Sequence, residues 1–75
     1  MTARNVRIMT AAQFELLEDV EAESILRWRF GSLIHAGFSV ADAMILASHV
    51  DVDLHAAADL LARGCPGETA LRILL

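Results

Sequence analysis

The chain has no lysine, a single cysteine, a single proline and few aromatic residues. One cysteine, Cys65, cannot close an intrachain disulfide, which fits a reducing cytosol. No segment reaches the roughly 18 uninterrupted apolar residues of a membrane span, since His35, Asp42 and His49 break the best candidate. The first residues, Met1–Arg7, lack the apolar stretch of a secretory signal. There is no basic block either. The close arginine pairs are Arg4/Arg7 and Arg27/Arg29, set against ten acids that give a formal charge of −4. Nucleic-acid affinity comes largely from neutralised phosphates, so this balance argues against DNA and RNA. A cytoplasmic protein without a membrane span is expected. Six arginines with no lysine, together with abundant alanine, point to a high-GC, bacterial genome.

What is present is apolar. Of 75 residues, 56% are hydrophobic, and the mean hydropathy is +0.50. So short a chain makes one domain with a small core. The apolar excess therefore has two outlets, a tightly packed Ala/Leu-rich bundle and a surface covered by a partner or a second copy.

One corner organises the pattern. Leu33-Ile34-His35-Ala36-Gly37-Phe38-Ser39 ends a helix on glycine and restarts at serine. The same pattern returns 27 residues later as Leu60-Leu61-Ala62-Arg63-Gly64-Cys65-Pro66, with Ala70 in the place of Ala43 and Ile73 in the place of Leu46. Glycine suits the left-handed position after a helix, and Pro66 suits the first turn of the helix that follows.

Around these corners the spacing predicts an all-α fold, a small orthogonal bundle of about five helices joined by short Gly-containing turns. Residues 1–9 are expected to be extended or disordered, and residues 10–75 to form one helical domain. Thr10 and Gln13 have the capping-box form and predict a short helix Ala11–Leu17, with Phe14 and Leu17 on its buried side. Asp19 is read as the cap of a second helix that reaches Ala36, with Glu21 and Glu23 near its positive end and Glu23 facing Arg27 one turn on. That helix carries two apolar stripes, Leu26/Phe30/Leu33 and Ile25/Trp28/Ser32, so it should be central. Ser39 and Asp42 open the third helix, and Ser48-His49-Val50 reads as its connection. Asp51 or Asp53 caps a fourth helix that ends near Arg63, and the last helix closes on Leu74 and Leu75.

Catalytic and metal-binding readings are weaker than structural ones. His49-Val50-Asp51-Val52-Asp53-Leu54-His55 places imidazoles and carboxylates at alternate positions, but alternation gathers side chains on a strand, and this stretch enters a helix. Capping and a solvated acidic turn account for it better. Cys65 opens a helix, where a thiolate is favoured, yet no base is placed beside it by the sequence. A helix-turn-helix would use 54–62 as its reader, which carries Asp59 and no basic residue. No enzyme, no metal and no cofactor are expected.

Gly37-Phe38-Ser39, then Ala43, then a helix ending Ala57-Ala58-Asp59-Leu60-Leu61 resemble the UBA/CUE-like three-helix fold, which includes the N-terminal domain of elongation factor Ts. The resemblance covers about residues 24–61. It implies partner binding through the loop and the end of the third helix, here Gly37, Phe38, Leu60 and Leu61; eukaryotic members bind ubiquitin. His35-Ala36 departs from the Leu/Met-containing sequence usual before the Gly-Phe. The helix after Gly64 is an addition that could cover this face. Trp28 and the terminal Leu74 and Leu75 join these four as contact candidates; core membership is the first reading of Trp28, and a half-exposed tryptophan is also what an interface anchor looks like.

The expected function is a non-catalytic protein-interaction module or small accessory subunit of a larger cytosolic complex, bound through apolar surface to a larger protein or to itself. The alternative is a small acidic regulator, antitoxin-like or an inhibitor, that occupies a basic surface through 18–23 and 51–59.

Overall fold

A computed structural model describes residues 10–75, and the expected extended or disordered stretch 1–9 lies outside them. The described residues form five helices and no strand: α1 (Ala11–Glu15), α2 (Asp19–Ala36), α3 (Val40–Ser48), α4 (Leu54–Ala62) and α5 (Gly67–Leu74). None of them is long and apolar enough to cross a membrane.

The helix starts follow local chemistry. Thr10 and Gln13 cap each other reciprocally, each backbone N–H donating to the other's side chain at 3.1 Å. Ser39 Oγ accepts from the Asp42 amide at 3.2 Å, and Asp53 Oδ1 accepts from the His55 amide at 2.9 Å. Asp53, not Asp51, is thus the cap of α4. The start of α2 differs from the expectation: Glu18 holds the extended cap backbone, and Asp19 is already helical. Pro66 likewise takes the cap position of α5 rather than its first turn.

Both glycine corners are Schellman turns. Gly37 and Gly64 have φ of 115° and 94°. Phe38 N–H donates to Leu33 O at 3.1 Å, and Cys65 N–H donates to Leu60 O at 3.0 Å. The inner bonds, Gly37 to Ile34 and Gly64 to Leu61, are both 3.0 Å. The sequence repeat is therefore a repeated backbone device, and it joins α2 to α3 and α4 to α5 in the same way.

α2 packs against both α3 and α4, and α5 packs against α3 and α4. Leu33, Phe38, Ala43, Leu46, Ala47, Val52, Leu54, Ala57 and Ala70 make one buried core. Alanine is abundant there because helices can approach closely where the side chain is a methyl group; Ala43, Ala57 and Ala70 are each 0% exposed.

Two further expectations are corrected. α1 is shorter than Ala11–Leu17 and buries nothing, with Phe14 and Leu17 only half-buried. Leu16 and Leu17 donate to carbonyls three residues back, so the helix tightens and stops before the extended Glu18. The connection after α3 is longer than Ser48–Val50 and is not a surface loop. Val50 and Val52 are buried, Val52 in one core cluster with Leu54, while His49 and Asp51 are exposed. The alternation seen in 49–55 is the apolar set of that connection turning inward.

Candidate protein-interaction surface

The side chain that holds this connection is Arg29. It is completely buried, in the middle of the inward stripe of α2 that runs through Ala22, Leu33 and Ala36. Its Nε donates to Ala47 O at 3.1 Å, and its Nη2 is shared among Leu46 O (3.1 Å), His49 O (2.8 Å) and Val52 O (3.1 Å). Those carbonyls are the C-terminal end of α3 and the turn after it, where the last helical C=O groups have no partner within the helix and the dipole is negative. A planar guanidinium with five donors can meet this arc; an ammonium is a point charge with fewer directions. Burial pulls the Arg29 pKa below its usual value, and the nearby carboxylates of Asp51 and Asp53 offset part of that effect. Sequence reasoning registered Arg29 only as half of an arginine pair. Its position three residues after Leu26 and four before Leu33, on the apolar side of a central helix, was the available signal.

With Arg29 in place, the flanks of α2 are left open on two sides. On one side Trp28, 46% exposed, borders a shallow cavity of about 210 Å³ with Leu33, Leu54, His55 and Ala58 beneath and beside it. On the other side, a groove of about 310 Å³ runs between α2 and α3. Its floor is Leu26 and Phe30 from α2 with Met44 and Ala47 from α3, and the Glu23–Arg27 pair (2.7 Å) stands at one end. Met44 is 61% exposed; Val40, one turn earlier on the same stripe of α3, is 60% exposed.

The contact candidates separate. Trp28 and Leu75 are exposed, and Leu74 is half-buried against the core. Phe38 is 4% exposed and part of the core. α5 runs over it so closely that a side chain at Gly67 would stand 3.9 Å from the Phe38 ring and 3.0 Å from Asp42 Oδ2. Leu60 and Leu61 are half-buried and pack on the same core, and Leu61 Cδ1 would lie 3.6 Å from a side chain at Gly37. The four positions implied by the resemblance thus share one region, but the added helix covers its aromatic residue. Val40 and Met44, both exposed, are not among the contact candidates read from the sequence. Cys65 is half-buried with its Sγ 3.5 Å from Pro66 O.

No family model, no curated protein and no solved structure matches this chain.

Proposed function

We propose that the protein is a non-catalytic protein-interaction module, or a small accessory subunit of a larger cytoplasmic complex, that binds through apolar surface. The observation that carries this reading is the apolar exposure left after the core is closed. Val40, Met44 and Ile73 are each 60% exposed or more, Leu75 is 57% exposed and Trp28 46%. Isolated exposed apolar residues are ordinary; a groove floored by Leu26, Phe30 and Met44 is the kind of feature a partner covers. The UBA/CUE-like likeness is part of the proposal. Its support is α2–α4 arranged around the Gly37-Phe38-Ser39 corner, with the binding face displaced from the corner that α5 covers.

The acidic-regulator reading keeps one specific support. Residues 10–75 hold all ten acids and four of the six arginines, a formal charge of −6 (4 − 10), and Glu18, Asp19, Glu21 and Glu23 are all exposed. Salt separates the two readings. A complex recovered from native lysate with its partner's mass determined should survive high ionic strength if apolar contact dominates. Release of the partner at high salt would favour the acidic regulator, because exposed charges are screened.

A further inference from the structure

We infer that α5 is a detachable lid: it swings off the bundle as one unit about residues 64–66 and uncovers the Gly37-Phe38 corner while α2, α3 and α4 stay folded; this rests on the interaction-module reading and adds its regulation. Three observations converge. First, α2, α3 and α4 are tied together without α5. α2 packs against both α3 and α4, and Arg29 ties it to the carbonyls of Leu46, Ala47, His49 and Val52. All the buried core residues but one lie between Leu33 and Ala57. The exception is Ala70, a methyl group, and it is the one fully buried residue of α5.

Second, α5 lacks any comparable tie. Its polar side chains, Glu68, Thr69 and Arg72, are exposed, and among the described residues none of them makes a hydrogen bond or ion pair with another helix. Leu71 and Leu74 are half-buried against the core, and Ile73 is 61% exposed. A unit that buries little apolar surface and has no polar anchor opens at lower cost than the bundle beneath it.

Third, the hinge and the seat of the lid are both built on glycine. Gly64 has φ of 94° and no atom of another segment within 4 Å of where its side chain would be, so the turn stands in open space and can rotate without meeting a neighbour. Gly67 lets the first turn of α5 come down on the corner, where a side chain would stand 3.9 Å from the Phe38 ring and 3.0 Å from Asp42 Oδ2. Lifting α5 therefore frees an aromatic ring that is 4% exposed in the closed form.

Two measurements on the full chain test this. Ala70→Glu places a charge in the buried contact of α5, which the lid escapes by lifting. The variant should lose only the helicity of that eight-residue helix, keep exchange protection at the Phe38 amide, and bind the apolar dye ANS where the unmodified chain does not. In the unmodified chain, the α5 amides from Ala70 to Leu74 should exchange together, at least about tenfold faster than Phe38. Their urea dependence should be smaller, because lifting one helix exposes less surface than unfolding the bundle. Global unfolding of Ala70→Glu would make α5 part of the core and overturn the lid. Unchanged dye binding by the variant would overturn it too, as would one rate and one urea dependence shared by α5 and α2. None of these failures touches the interaction-module reading, since Trp28 and Met44 are exposed with α5 in place.

Discussion

The two glycine corners share one set of backbone bonds and differ in everything those bonds hold. The first is followed by Phe38, 4% exposed, and leads into Ala43 and Leu46, both 0% exposed. The second is followed by half-buried Cys65 and leads into Ala70, 0% exposed, but then into Ile73, 61% exposed. Ahead of them, Leu33 is 1% exposed, whereas its counterpart Leu60 is only half-buried. Arg29 has Ala56 as its counterpart, so the guanidinium that holds the end of α3 is not repeated at the matching position of the second half. The lesson is that a helix-ending turn is decided by local backbone chemistry, while its contribution to stability depends on what is stacked above it. The first corner is core; the second is a lid over it.

Breaking the comparison most severely means removing Arg29. Arg29→Met should destabilise the fold by about 3–5 kcal/mol, because a group of buried carbonyls loses its donors. A domain of this size has about 4–11 kcal/mol in total, so urea unfolding should show a greatly lowered midpoint or an unfolded chain. Arg29→Lys should recover only part of the loss.

The paired positions Leu46 and Ile73 sharpen the contrast. Leu46→Ala should cost about 2–5 kcal/mol by leaving a cavity at the centre of the core. Ile73→Ala, at an exposed site, should stay within about 0.5 kcal/mol in the same denaturation experiment. Equal losses would mean that the two halves are equivalent after all.

The glycines themselves test the shared device. An alanine at Gly37 must adopt a left-handed backbone, at a cost of about 1–2 kcal/mol, without any steric clash beyond ordinary contact with Leu61. Gly64→Ala carries the same local strain, but α5 can loosen to relieve it, so its measured loss should be the smaller of the two. The smallest effect belongs to the surface pair Arg63–Asp59. Both partners are more than half exposed, and Arg63→Ala should change the melting free energy by less than about 0.5 kcal/mol.

Most of the backbone was legible in the sequence, and the reason is that caps and stops are local. Thr10/Gln13, Ser39, Gly37 and Gly64 each act on amides or carbonyls within a few residues, so their types and spacing suffice; the same local rules left Asp51 and Asp53 as alternatives for the α4 cap and put Asp19 and Pro66 one position off. Arg29 was not legible in this way, since its acceptors lie 17 to 23 residues away and only the packing of α2 on α3 brings them together. Phe38 shows the same limit from the other direction. Its residue type and its place after a glycine suit a contact loop, and only the docking of α5 decides that it is interior. Met44, next in sequence to buried Ala43, is surface because α3 turns its Ala43, Leu46 and Ala47 side to the core and leaves that flank uncovered.

Native-state hydrogen exchange on the unmodified chain tests the central contrast most directly, because it compares two equivalent amides in one experiment. The Phe38 and Cys65 amides make the same Schellman bond at 3.1 and 3.0 Å. If the first corner is core and the second a lid, Phe38 should exchange only through global unfolding, and Cys65 should exchange at least about tenfold faster through local opening of α5. Equal protection of the two amides, or slower exchange at Cys65, would contradict the account.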